Sequence, residues 1–307
     1  MTKFDYTKIE DIGLDEIQKC IDTTSKLAFD IGIENISKQY FYDILLFLAY
    51  QIKKIASYKK PTIIGVSGGQ GSGKSTITTL VEHILNSYLS VRTIALSIDN
   101  FYFSKKKRMQ MSKDIHPLCK TRGVPGTHDI VLLKEKINSL LNADLKTKTV
   151  IPIFSKIKDD YISDQSWKIY LGRPDIIILE GWCIGARAIE EQEWLPPLNS
   201  LEKNFDSDST WGKWSNSILK NQYQEIFKML KILIMIKEKS MRNIYKNRWV
   251  QEKTLKKLNK TAKTLTKSDV KQFVMHFERL TRHMFRIMPD YANIIINKDS
   301  NYNYYIV

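Results

Sequence analysis

An α/β fold, with a mainly parallel sheet and helices on both faces, is predicted by three observations. Short apolar runs recur at 62–66, 91–98, 150–153, 176–179, 232–236 and 294–296, separated by helical stretches. They are continuously apolar rather than alternating, as strands buried on both faces are. The first run breaks into a glycine-rich loop that opens a helix, the order in which a βα unit binds phosphate.

Residues 1–60 carry no glycine-rich motif. Their apolar residues fall at helical spacing, as in Ile17, Cys20 and Ile21, and again in Tyr42, Ile44, Leu45, Leu48 and Ile52. They are expected to form an N-terminal helical extension packed on a core domain over 61–307. The first thirteen residues lack a charged-then-apolar targeting pattern, and the most apolar stretch, 41–52, is too short to span a bilayer.

The loop itself reads Gly68, Gly69, Gln70, Gly71, Ser72, Gly73, Lys74, Ser75, Thr76. This is the G-x-x-x-x-G-K-[ST] phosphate loop, which predicts a nucleoside triphosphate site. Glycines let successive backbone N–H groups curl around phosphates, Lys74 brings positive charge to the β and γ groups, and Ser75 offers a hydroxyl to Mg²⁺. Ile77, Leu80, Val81, Ile84, Leu85 and Leu89 then follow a helical period whose N-terminus faces the anion.

In an open parallel sheet, ligands gather at the carboxyl ends of the strands, so the residue after each apolar run carries the most information. After 91–98 stands Asp99, placed to accept the proton of an alcohol aimed at a γ-phosphate; a turn or helix-capping aspartate is the structural alternative. After 176–179 stands Glu180, the terminal acid of a Walker B-like strand that holds Mg²⁺ directly or through water. Asp175 falls five residues earlier, at the far edge of the sheet by strand rise. Gly181 and Trp182 follow Glu180, with no second acid to activate water, so a transferase fits better than a hydrolase. Lys237 and Glu238 read as a strand exit with no assigned role.

The segment 120–129 combines glycines, a proline, Arg122 and His128 ahead of a helix starting near Ile130, with Asp129 as its N-cap. It is a shaped loop in which Arg122 and His128 are placed to grip an anionic acceptor; for His128 a structural hydrogen bond is an equal reading. Residues 237–267 are rich in lysine, including Lys239, Lys246, Lys253, Lys256, Lys260 and Lys263, and read as a polar, lid-like helix pair carrying Arg242 and Arg248.

Composition sets outer bounds. The chain has 307 residues, 43% hydrophobic, with a formal charge of +15 and a pI near 9.5, which points to anionic partners without choosing among them. The lysines are dispersed and lack interleaved stacking aromatics, which argues against nucleic-acid binding. Cys20, Cys119 and Cys183 are too scattered for a disulfide framework or a zinc site. A cytoplasmic protein without membrane association is expected.

Taken in order, the motifs GVSGGQGSGKST, SIDNFY, HPLCKTRGVPGTHD, IPIFSK, DIIILEGWCIGARA and HFERLTRHMF resemble those of the D-glycerate 3-kinase group, within the phosphoribulokinase and uridine kinase branch of P-loop kinases. The resemblance covers about residues 60–297. It implies ATP and Mg²⁺ as cofactors, Asp99 as base, 122–129 as the acceptor loop, Glu180 as the acidic strand end, and Arg248, ahead of Gln251 and Glu252, as the lid arginine. Arg187 and Arg282 are further cationic candidates. Two departures stand out. Asp99-Asn100 replaces the group's frequent pair of aspartates, leaving Asp99 as the single carboxylate there, and Phe154-Ser155-Lys156 replaces Phe-Asp-Lys.

The expectation is an ATP-dependent kinase with Lys74, Asp99 and Arg248 catalytic, Ser75 and Glu180 serving Mg²⁺, and Arg122, His128 and Arg187 holding a small hydroxy acid, D-glycerate by resemblance. Pantothenate, a nucleoside or a sugar phosphate is the rival acceptor class, and an ATP-dependent nucleic-acid-binding protein the rival of another kind.

Overall fold

The computed structural model describes residues 13–57, 59–258, 264–299 and 302–307. The targeting-signal reading of the first residues and the lysines at 260 and 263 lie outside the described residues.

A six-stranded sheet forms the centre. Its strands are β1 (Thr62–Gly68), β2 (Thr93–Ser97), β7 (Ile176–Gly181), β8 (Leu230–Glu238), β9 (Ile294–Lys298) and β10 (Tyr304–Ile306), in the order β10-β9-β8-β1-β7-β2. All neighbours pair parallel except β10, which adds antiparallel to β9 at one edge. β1 is therefore central, and the phosphate loop leaves the sheet between β7 and β8.

Alternate residues of each strand enter different cores. Ile63, Ile177, Leu179, Leu233 and Met235 join a cluster that includes the helices Ile130–Leu141 and Lys267–Ile287. Ile64, Val66, Ile176, Ile178, Ile234 and Ile236 join a second cluster with the helix Lys74–Tyr88 and the N-terminal helices Leu14–Asp30 and 38–55. Burial on both faces is why the runs read as continuously apolar. The N-terminal helices share that second core with β1, and Thr23 hydrogen-bonds His83 and Tyr88 of the helix after the phosphate loop at 3.1 and 2.7 Å.

The structure departs from the sequence reading in three places. The run at 150–153 does not join the main sheet: β3 (Lys148–Ile151) pairs antiparallel with β6 (Lys168–Leu171), and between them β4 (Phe154–Ser155) pairs with β5 (Asp160–Tyr161), as two separate two-stranded sheets. Alternation decides this, since β3 buries Thr149 and Ile151 and exposes Lys148 and Val150. The edge strand β10 was not anticipated, its three residues being too few to stand out. β8 runs through Lys237 to Glu238, so Glu238 is a buried strand residue and not an exit.

Candidate active site

The phosphate loop is shaped by two glycines in the left-handed region, Gly71 (φ 73°) and Gly73 (φ 92°). Their missing Cβ atoms matter for space as well. A Cβ on Gly71 would meet Cβ of Asn247 at 2.7 Å, and one on Gly73 would collide with the Tyr304 hydroxyl. Lys74 begins the following helix and folds back over the loop, its Nζ donating to the Gly69 carbonyl at 3.1 Å. Burial pulls the Lys74 pKa down, against the opposing charges of Glu180 and Asp99.

Ser75 and Glu180 meet. The Ser75 hydroxyl donates to Glu180 Oε1 at 3.0 Å, because Glu180, in register with Val66 and Ser97, ends β7 beside the helix N-terminus. Asp175 is at the opposite edge, where its Oδ2 accepts from the Arg92 backbone N–H at 2.9 Å. Among the described residues no cluster of three or more His, Cys, Asp or Glu could hold a metal. One hydroxyl and one carboxylate beside a phosphate loop suit Mg²⁺, which takes one or two protein ligands and completes its shell with substrate phosphates and water.

Asp99 sits in the 3-10 turn Ile98–Phe101 directly after β2, at the same sheet edge. Its Oδ1 accepts from the Tyr102 hydroxyl at 2.9 Å and its Oδ2 pairs with Lys156 Nζ at 2.6 Å. Burial alone would raise this carboxyl, but the Lys156 charge and hydrogen bond, with Lys74 behind them, hold it well below the usual carboxylate range. Asn100 has a different task from the aspartate it replaces: its Oδ1 accepts from the Phe154 N–H at 3.2 Å and so ties the β4–β5 hairpin, which carries Lys156, to the turn that carries Asp99. Ser155 Oγ closes the hairpin's turn by accepting from the Lys158 N–H.

Arg122 lies beside this hairpin. Its guanidinium pairs with Asp159, which also takes the buried Arg108 at 2.9 Å. His128 is buried, with Nδ1 at 2.7 Å from the Tyr223 hydroxyl and its ring stacked on Tyr102 at 4.3 Å between centroids. Burial lowers its pKa to about 4, against the pull of Asp99, so the ring is neutral at physiological pH. Its Nε2 has no hydrogen-bond partner among the described residues. Asp129 caps the next helix by accepting from the Leu132 N–H at 2.9 Å.

Arg187 does not join this cluster. The chain after Gly181 turns back along the sheet face, so that Gly185 packs on Leu233, the register partner of Gly65 in mid-strand. Arg187 then stacks over Tyr291 at 3.8 Å, ahead of β9 and toward the opposite sheet edge from the phosphate loop. The expected grouping of Arg187 with Arg122 and His128 fails for that reason. Arg282 likewise pairs with Glu278 on its own helix at 2.7 Å.

The helix Met241–Leu258 crosses the phosphate loop, with Ile244 facing Gly69 and Asn247 facing Gly71. Arg248 comes one residue later, pairs with Glu252 and lies 5.5 Å from the Phe273 ring centre. One face of this helix is apolar, and Met241 and Ile244 pack with Val270 and Val274 of the next helix.

Sequence reasoning missed the groups that brace the loop from beneath. Lys298 Nζ donates to the Gly71 carbonyl at 2.7 Å and pairs with Glu238 at 3.5 Å; Asn247 Nδ2 donates to Glu238 Oε1 at 2.7 Å; the Tyr304 hydroxyl donates to the Ser72 carbonyl at 2.9 Å. A loop whose N–H groups must all turn toward phosphate leaves its carbonyls facing away, and these donors receive them.

A phosphate loop, its lysine, a serine–carboxylate pair and an isolated aspartate at one sheet edge define a P-loop phosphoryl-transfer enzyme. The KAP family P-loop domain matches residues 43–284. The uncharacterized kinase mug58 of Schizosaccharomyces pombe is 30% identical over 250 residues, 76% of this chain and 83% of its own length. The probable ATP-dependent kinase TDA10 of Saccharomyces cerevisiae is 28% identical over 272 residues, 80% and 88% of the two chains. The solved D-glycerate 3-kinase of Cryptococcus neoformans superposes with a TM-score of 0.68 at 21% identity, covering 86% of this chain and 96% of that one. Pantothenate and uridine kinases also occur among the relatives, matched over about half of this chain. The chain belongs to the KAP family P-loop domain, and its relatives include uridine and pantothenate kinases of the phosphoribulokinase and uridine kinase branch of P-loop kinases. It is an ATP-dependent small-molecule kinase. Among the described residues no helix is long and apolar enough to cross a membrane.

Proposed function

We propose that this kinase transfers the γ-phosphoryl group of ATP to a hydroxyl of a small hydroxy acid, D-glycerate, in the cytoplasm. The observation that carries the reading is the cationic hairpin set against the base: Asp99 stands at the sheet edge with Lys156 at 2.6 Å and Arg122 close by on the acceptor loop. An acceptor whose hydroxyl reaches Asp99 meets positive charge beside it, which favours a carboxylate over a neutral nucleoside.

The phosphate-loop amides and Lys74 hold the triphosphate and neutralise charge as it shifts toward the leaving ADP. Ser75 and Glu180 would hold Mg²⁺, which would supply positive charge to the phosphates when bound. Asp99 orients the acceptor hydroxyl and takes its proton as the new O–P bond forms and the bond to the β-phosphate oxygen breaks. A loose transition state generates little charge on the attacking oxygen until late, so a carboxylate with a low pKa suffices as that base. Arg248, on the helix that crosses the loop, is the cation placed to close over the phosphates by leaving Glu252.

An ADP-release assay with D-glycerate, pantothenate and uridine at matched concentrations tests the acceptor. D-glycerate should give the largest kcat/KM. Preferred turnover of uridine or pantothenate would replace the hydroxy-acid reading with one of its rivals.

A further inference from the structure

The Lys156–Asp99 pair has an uneven build. Lys156 stands on the hairpin turn with 61% of its side chain exposed, whereas Asp99 is 26% exposed and fixed by Tyr102. The neighbouring cations are already engaged: Arg108 and Arg122 share Asp159, and Lys74 donates to Gly69. Glu180 and Ser75 are engaged with each other. Lys156 is thus the cation at this edge whose long, solvated stem can move its charge without breaking a buried network. Asp99, clamped by it, has one oxygen on Tyr102 and the other on the ammonium, so each already accepts a hydrogen bond and the adjacent positive charge makes the carboxylate a weaker proton acceptor.

We infer that Lys156 is an acceptor-recognition residue that works by exchange: the carboxylate of the acceptor takes the ammonium from Asp99, and the oxygen so released becomes the proton acceptor. The inference rests on the hydroxy-acid reading above. Asn100 supports the exchange by holding the hairpin backbone at Phe154, so that the ammonium moves while its stem stays beside Asp99. The arrangement couples base activation to acceptor charge. Without a carboxylate at the site, Asp99 remains paired and water is a poor nucleophile, which limits wasteful ATP hydrolysis. With it, the acceptor hydroxyl gives its proton to Asp99 and its oxygen attacks the γ-phosphorus while ADP leaves.

The test compares wild type with Lys156→Met and Lys156→Arg, using D-glycerate and glyceramide as acceptors, with ATP KM measured on the same preparations. Lys156→Met should raise the D-glycerate KM roughly ten- to a hundredfold, the worth of one charged hydrogen bond. It should leave the glyceramide KM within about twofold and raise acceptor-free ATP hydrolysis, while Lys156→Arg restores part of the D-glycerate KM. An unchanged D-glycerate KM in Lys156→Met overturns the inference and leaves the hydroxy-acid reading standing. An equal loss with both acceptors, or a rise confined to ATP KM, also overturns it, since Lys156 would then be structural or a phosphate ligand. A wild-type enzyme that ignores D-glycerate and turns over uridine or pantothenate removes the underlying reading and the inference with it.

Discussion

Lys298→Met tests whether the buried brace beneath the phosphate loop is electrostatic. The substitution keeps the apolar stem and removes the ammonium, so two interactions end: the 2.7 Å hydrogen bond to Gly71 and the 3.5 Å pair with Glu238. Lys298 and Glu238 are 3% and 1% exposed, so water does not replace the lost partner. Glu238 keeps the Asn247 amide on Oε1, while Oε2 has no hydrogen-bond partner among the described residues. Burial already pushes the Glu238 carboxyl up, opposed chiefly by Lys298; with the ammonium gone, that opposition is lost and the carboxyl is pushed up further. Removing one partner of a buried ion pair costs about 3–5 kcal/mol because the other charge is left buried without compensation. The sign follows from the raised folded pKa: the variant's deficit is small near the unfolded value of 4.5 and grows as pH rises. Urea unfolding should therefore show a deficit of about 4 kcal/mol at pH 7 and a distinctly smaller one at pH 5. Glu238→Gln in the same background should recover most of the pH 7 loss. A deficit equal at the two pH values, or no recovery in the double variant, would refute the electrostatic account and leave only packing.

Asp99→Asn should keep ATP affinity and thermal stability while turnover drops by roughly 10² to 10⁴, the worth of a positioned base; wild-type turnover with a lowered melting temperature would make Asp99 a turn residue. Acid should weaken the fold between pH 6.5 and about 4, because buried His128 stays neutral until about 4 whereas an unfolded histidine takes its proton from 6.5. Urea midpoints across that range should fall less steeply in His128→Gln, and an unchanged slope would show that other groups carry the acid loss.

Much of the site was legible because its parts are local. The phosphate loop, Asp99 after β2, Glu180 at the end of β7 and the Asp129 cap are each set by a few neighbouring residues, and the apolar runs fix which sheet edge they share. What was not legible depends on pairings across the chain. Lys298 and Tyr304 reach the loop from more than two hundred residues away, on a final hairpin whose last strand is too short to announce itself. Lys156 was visible as a residue but not as the partner of Asp99, because that pairing depends on Asn100 holding a two-residue strand. Arg187 was misplaced since a chain that leaves a strand end can continue over the edge or turn back, and the apolar pattern of Cys183, Ile184 and Ala186 decides this only once a sheet face is there to receive them.

The central claim is phosphoryl transfer from ATP to a hydroxy carboxylate, and phosphorus NMR of a reaction with ATP, Mg²⁺ and D-glycerate tests it most directly. One new phosphomonoester resonance should appear in step with ADP, in equal amount, should build more slowly with glyceramide, and should not appear when uridine replaces D-glycerate at the same concentration. ADP accompanied by inorganic phosphate alone, or a phosphomonoester formed from uridine and not from D-glycerate, would contradict the account.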